Sequence, residues 1–279
     1  MIHRVATLLA AVLALAGCSW GTPPPGFGNG TSFHTISFGG LDRAYRLYKP
    51  AGLAPSAPLV VMLHGGFGSA AQAERSYYWD ELAESEKFVV AYPDGRNRAW
   101  NVNGGGCCGR SAREGVDDVG FIDAAVADMA RHVSINPGRV YATGMSNGAI
   151  MSYTLACNSG IFAAIGPVSG TQLDPCPNPS PVSVMHIHGT GDPLVRYSGG
   201  PGSGIGRIDG PPVLALNAFW RNVDQCAPPA ITTSGSIATS TAGCADNRSV
   251  VLVTFNEGGH RWPSSAPEIL WEFFAAHRR

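Results

Sequence analysis

The sequence predicts an α/β fold with a mostly parallel central sheet, helices on both of its faces and no large lid. Three observations predict it. Short, continuously apolar runs such as Leu59-Val60-Val61-Met62-Leu63 read as strands buried on both sides, the pattern of a covered parallel sheet. Segments of helical periodicity alternate with these runs along the chain. No long helical insertion breaks the alternation after Ser146, so no lid is expected.

Taken in order, Phe33 to Lys49 holds two strand-like runs around Gly39-Gly40, a hairpin signal. Leu59 to Leu63 is the first buried strand, followed by a helix over Ala70 to Glu86 and a second buried strand over Phe88 to Tyr92. Asn97 to Gly115 reads as a glycine-rich loop. Asp117 or Asp118 can cap a helix whose apolar face is Ile122, Val126, Met129 and Val133. Arg139 to Thr143 is a strand and Ala149 to Ala156 opens a helix. Phe162 to Val168 and Val182 to Ile187 are further strands, and Arg196 to Pro212 is a Gly/Pro-rich loop. Val213 to Val223 is a helix, Ser249 to Phe255 the last strand, and Pro267 to His277 a final helix with proline in its first turn.

The 279 residues suffice for one large domain with a substantial core. With 19 basic and 20 acidic residues the net charge is -1, and no basic patch stands out, which argues against a nucleic-acid partner. The first 17 residues read as a signal peptide: His3 and Arg4, then an apolar run too short to span a bilayer comfortably. The run ends in Leu15-Ala16-Gly17-Cys18, which resembles a bacterial lipobox and implies lipidation at Cys18. Residues 18–30 then form a Pro/Gly tether, and 31–279 the catalytic domain. The only expected membrane contact is this lipid anchor.

Seven cysteines is an odd number for an oxidising compartment. Setting Cys18 aside leaves six. Cys226 and Cys244 flank a Pro/Ser/Thr-rich excursion and are the easiest pair to propose. Adjacent Cys107 and Cys108 are expected to reach Cys157 and Cys176 separately, in an order the sequence does not specify. No C-x-x-C spacing suggests a metal site, and no metal or organic cofactor is expected.

Chemistry enters at Gly144-Met145-Ser146-Asn147-Gly148, a G-x-S-x-G. Alone it is a glycine-rich turn with a surface serine. Here it lies between a strand and a helix, the context of a nucleophile elbow, in which the glycines admit a strained turn that pushes the hydroxyl into solvent. A serine hydroxyl needs a base, and the base needs an acid to orient it. Asp192 lies just past the strand ending at Ile187, and His260 lies on a glycine-flexible loop just past the last strand. Acid then histidine after the serine is the order this architecture uses. Asp224 and Glu257 serve less well. Asp224 follows a helix, and Glu257 is so near His260 that the loop would have to fold back sharply.

Two backbone N–H donors are needed for an oxyanion: Asn147, directly after the serine, and one from His64-Gly65-Gly66-Phe67, with Phe67 first and Gly66 second. The His64 side chain is expected to hold its loop, and His186, alternating with His188 on a strand, to be a core group or one that supports the site from behind. Trp100, Tyr197 and Trp262, in loops around the site, are candidates to stack on a phenolic or sugar ring. The run Ser198 to Gly210 is placed to form one wall of the cleft.

With these residues in hand, the chain resembles the secreted polyhydroxybutyrate depolymerase/feruloyl esterase group of the α/β-hydrolases. The resemblance rests on LHGGFG (63–68), AYPDG (91–95), WN (100–101), CCG (107–109), VDDVGFI (116–122), GMSNGA around Ser146, HGTGD (188–192) and GGHRWP (258–263). It implies hydrolysis of carboxylic esters outside the cytoplasm through an acyl-enzyme. The substrate class spans feruloyl, aryl or acetyl esters of polysaccharide or small molecules. Short-chain poly(3-hydroxybutyrate) is the alternative substrate, and a catalytically silent surface lipoprotein that binds glycans is the alternative of another class.

Overall fold

A computed structural model describes residues 26–103, 109–204 and 206–279. The expected leader, Cys18, most of the tether, and Cys107 and Cys108 lie outside the described residues. None of the helices described is long and apolar enough to cross a membrane.

The chain runs β1 (Gly30–Phe38), β2 (Leu41–Lys49), β3 (Ala57–Leu63), α1 (Ala70–Ser76), α2 (Trp79–Glu86), β4 (Val89–Pro93), α3 (Gly109–Arg113), α4 (Asp118–His132) and β5 (Ile135–Met145). It continues with α5 (Asn147–Asn158), β6 (Ala164–Val168), β7 (Ser183–Gly189), β8 (Gly200–Pro201), β9 (Asp209–Gly210) and α6 (Val213–Val223). The last elements are β10 (Ala230–Ser234), β11 (Ile237–Gly243), β12 (Ser249–Phe255) and α7 (Ala266–Ala275). Ten strands form one sheet in the order β1-β2-β4-β3-β5-β6-β7-β12-β11-β10. The six central strands, β4 to β12 in that order, are parallel to one another, and antiparallel hairpins close both edges. The architecture is the α/β-hydrolase fold.

Two cores sandwich the sheet, and β3 shows why its sequence is apolar throughout. Leu59, Val61 and Leu63 face one core with Phe121 and Met129 of α4, Ile150 of α5 and Trp220 of α6. Val60 and Met62 face the other, with Trp79 of α2 and Leu270 and Phe274 of α7. Every residue of β3 therefore loses its water, each large one stabilising by about 1.5–3 kcal/mol.

Four expectations need correction. The helix expected over Ala70 to Glu86 is two helices. Tyr77 and Trp79 are both buried while Tyr78 between them is exposed, a pattern one continuous helix does not deliver. Tyr78 takes a left-handed φ of 57° and resets the phase. The excursion between Cys226 and Cys244 is the hairpin β10–β11, turned at Gly235 with φ 58°. The glycine-rich loop from Asn97 contains the short helix α3. Cys157 pairs with Cys176, not with the adjacent cysteines, because the end of α5 faces the segment after β6. The Cys226–Cys244 bridge forms as expected.

A buried ion pair stitches β2 to α4 and to the loop at residue 100. The Arg43 guanidinium lies 3.8 Å from the centre of the Phe121 ring and donates to Asp118 Oδ1 at 2.6 Å. Asp118 Oδ2 accepts the Asn101 N–H at 2.7 Å. The neighbouring Asp117 caps α4 through the Gly120 N–H, 2.8 Å away.

Candidate active site

The site is assembled at the carboxyl ends of the parallel strands. Ser146 ends β5 and starts α5 in a strained conformation, φ 56° and ψ −118°, of the kind that persists only where its surroundings enforce it. The flanking glycines enforce it sterically. A Cβ on Gly148 would run into the Leu63 and His64 carbonyls, and one on Gly144 into the backbone of Gly148. The Ser146 N–H is held by the Val168 carbonyl at 3.0 Å.

Asp192 follows β7 and is buried. Its Oδ1 accepts the N–H groups of Leu194 (2.8 Å) and Val195 (2.9 Å), and its Oδ2 faces His260 Nδ1 at 2.8 Å. Burial alone would raise this carboxyl. Hydrogen bonds from His188, His260 and the Val195 amide outweigh it and hold Asp192 below the usual carboxylate range. His260 reaches Asp192 because the loop after β12 packs tightly on the end of β7: a Cβ on Gly189 would run into the Gly258 backbone, and one on Gly258 into Phe255. Ser146 and His260 line one cavity of about 620 Å³. No hydrogen bond joins their side chains among the described residues; such contacts often close only around substrate.

The amides at the cavity wall sort themselves. Phe67, expected as the first oxyanion donor, has its N–H occupied by the Arg98 carbonyl at 2.7 Å. The competing acceptor arises because Phe67 turns through φ 64° and faces residue 98. Gly66 also lines the cavity, and its N–H meets no acceptor among the described residues. The Asn147 N–H is the first of α5 and has no helical partner. Gly66 and Asn147 are therefore the pair able to receive an oxyanion.

Trp100 is not at the cleft surface. It is fully buried, its indole N–H donates to the His64 carbonyl at 2.8 Å, and its backbone N–H donates to Asn147 Oδ1 at 2.7 Å. It is a strut that ties the start of α5 to the His64-Gly65-Gly66 loop. His64 braces the same loop: Gly95 N–H donates to its Nε2 (2.9 Å) and its Nδ1 donates to the Gly65 carbonyl (2.8 Å). Tyr197 bonds Thr254 at 3.0 Å and does not line the cavity. Trp262 is one layer back, its ring centre 4.7 Å from that of Tyr77. Tyr77 itself lines the cavity, as do Met145, Leu194, Ile208 and Arg207. Sequence reasoning missed Tyr77 because it sat inside an expected helix. The wall expected from the Ser198–Gly210 run is present at Ser203, Gly204, Gly206, Arg207 and Ile208.

The other acids are elsewhere. Glu257 is exposed, and its N–H donates to Thr190 Oγ1. Asp224 is buried at the end of α6 beside Arg248 (2.8 Å), which precedes β12, whereas His260 follows it. Burial pushes Asp224 up to about 7, against the pull of Arg248. In the unfolded chain it would ionise near 3.8. Between these values the folded state keeps a proton the unfolded state has lost, so this group makes stability fall as pH rises from about 4 to about 7. Asp224→Asn should flatten that stretch of a urea-midpoint-versus-pH curve; an unchanged slope would refute the assignment.

The family model described as Esterase PHB depolymerase matches residues 43–196, over half of the chain and including both Ser146 and Asp192. The chain belongs to the esterase PHB depolymerase family. Feruloyl esterase C of Emericella nidulans is 30% identical over 255 residues, spanning 84% of each protein. The bifunctional acetylxylan esterase/xylanase XynS20E of Neocallimastix patriciarum is 30% identical over 210 residues, 70% of this chain but only 30% of that protein. Among solved structures, an acetyl xylan esterase from Aspergillus awamori superposes with a TM-score of 0.67 at 16% identity, covering 88% of this chain and 99% of that one. The esterase is thus a carboxylic ester hydrolase on the α/β-hydrolase fold, in the polyhydroxybutyrate depolymerase/feruloyl esterase-like group.

Proposed function

We propose that this esterase cleaves feruloyl or other aryl esters, and acetyl esters, of polysaccharide or small molecules through an acyl-enzyme formed on Ser146. The carrying observation is the His260–Asp192 hydrogen bond at 2.8 Å beside a cavity that also holds Ser146 and two unpartnered amides. His260 takes the serine proton as Oγ attacks the ester carbonyl. The amides of Gly66 and Asn147 hold the oxyanion, the alcohol leaves with the proton from His260, and water repeats the cycle to free the acid. Relatives named for feruloyl and acetylxylan esters support this substrate range. A cavity of about 620 Å³ walled by Phe67, Tyr77, Met145, Leu194 and Ile208 offers far more room than an acetyl group needs, and aromatic surface for a phenolic acyl group. Poly(3-hydroxybutyrate) oligomers are the competing substrate, favoured by the family's name. The two described disulfides suit an oxidising compartment, consistent with export by the first 17 residues and anchoring at Cys18.

An ester panel on the domain from about residue 30 onward separates the readings. Methyl ferulate is expected to give the highest kcat/KM, at least about tenfold above hydroxybutyrate oligomers, the equivalent of about 1.4 kcal/mol in the barrier. Preference for the oligomers would overturn the aryl reading in favour of the polyester one.

A further inference from the structure

Behind Asp192 lies a hydrogen-bonded chain the triad does not use. His188 Nε2 is 2.8 Å from the Val195 carbonyl and 3.4 Å from Asp192 Oδ2. His188 Nδ1 is 2.9 Å from His186 Nε2, and His186 Nδ1 is 3.0 Å from the Tyr153 hydroxyl. All three side chains are buried.

Donor rules assign its direction. A carbonyl only accepts, so His188 Nε2 carries a hydrogen. In the relay inferred here, His188 Nδ1 accepts and the hydrogen between the imidazoles belongs to His186 Nε2. Burial disfavours charge on His186, so its Nδ1 is the acceptor and Tyr153 donates. The hydrogens of the chain then run one way, from Tyr153 to His188 Nε2, which donates to the Val195 carbonyl at 2.8 Å with Asp192 Oδ2 3.4 Å away, and the aligned dipoles reinforce one another. The charged and titratable surroundings are simple. His188 faces His186 on its own strand, Asp192 from the following loop and Tyr197 edge-on at 5.9 Å, with His260 beyond Asp192. His186 faces Tyr153 edge-on from α5. No Lys, Arg or further carboxylate pairs with either imidazole among the described residues.

We infer that Tyr153, His186 and His188 are positioning residues for ester hydrolysis: a buried, one-way donor relay that polarises Asp192 and sets the pH at which the site works. The inference rests on the triad reading above. The His188 Nε2–H dipole, 3.4 Å from Asp192 Oδ2, stabilises part of the carboxylate's charge and leaves less for His260. Removing them concentrates charge on the His260 side, which favours the imidazolium and moves the acid limb of the kcat/KM profile to higher pH. A group that only filled space would lower stability or kcat without moving that limb.

The test is the pH profile of p-nitrophenyl acetate hydrolysis by wild type, His188→Leu, His188→Gln and Tyr153→Phe. His188→Leu should move the acid limb up by roughly 0.5 to 1 pH unit and lower the plateau severalfold. Tyr153→Phe should shift it less, in the same direction. His188→Gln, whose amide can accept from His186 and donate onward, should return most of the shift. In wild-type protein, ¹⁵N-histidine NMR should find the Nε2–H tautomer at both His186 and His188, a readout that survives even if His188→Leu does not fold. An unmoved limb in Tyr153→Phe and in each His188 variant that folds, or an Nδ1–H tautomer at His188, overturns the relay while leaving the triad intact. A wild type that hydrolyses no ester would overturn the triad reading and the relay together.

Discussion

Replacing Ser146 by alanine is expected to lower kcat by roughly 10⁴- to 10⁶-fold and to abolish labelling by a fluorophosphonate probe. On the proposed mechanism the loss is so large because a catalytic triad works as a unit, and the amides proposed as the oxyanion site would retain only a remnant of catalysis without the serine. The fold should survive. Ser146 contributes its strained backbone and a cavity-lining hydroxyl, so the smaller side chain keeps the turn and removes no packed atom group. The melting temperature should therefore change by a few degrees at most. A Ser146→Ala protein that still takes the probe would move the nucleophile to another residue. A wild-type protein that does not take it would leave the silent surface lipoprotein as the standing reading.

The second large effect concerns stability. Arg43→Ala is expected to cost about 3–5 kcal/mol, because it strands the Asp118 carboxylate where no water reaches. For a domain of this size that is a fall in melting temperature on the order of 10 °C. Activity should suffer as well. Asp118 also accepts the Asn101 N–H, and Asn101 follows Trp100, the strut between Asn147 and the His64 carbonyl. The double variant Arg43→Ala/Asp118→Ala should lose less than the sum of the two single changes, since it leaves no unpaired charge. A single-variant loss below about 1 kcal/mol would show that water enters the pocket and compensates.

Much of this molecule was legible before any coordinates, and the reasons differ by element. The central strands announce themselves because both faces are covered, so runs such as Leu59 to Leu63 carry no polar residue. The elbow is legible because only glycine fits at 144 and 148. What escaped was governed by contacts distant in sequence. Trp100 sits in a glycine-rich segment that reads as surface, yet its burial is decided by His64 and Asn147, 36 and 47 residues away. The break between α1 and α2 carries no glycine or proline; it follows from the competing burial of Tyr77 and Trp79. The β10–β11 hairpin was hidden by Ser/Thr composition, although Ile231-Thr232-Thr233 and Ile237 to Thr241, parted by Gly235, hold the β-branched residues and turn that a hairpin uses. Phe67 failed as a donor for a reason no motif contains: the Arg98 carbonyl reached its N–H first.

Ser146, Asp192 and His260 leave the sheet from β5, β7 and β12, which lie within four adjacent positions, β5-β6-β7-β12. In chain order they are far apart, and β12 is the last strand made. A domain generally folds as a unit, so on the proposed triad Ser146, Asp192 and His260 come together only in the step that completes the sheet. Without β12 seated between β7 and β11, Ser146 would lack the base proposed for it, so an unfinished sheet would also be a chemically mute one.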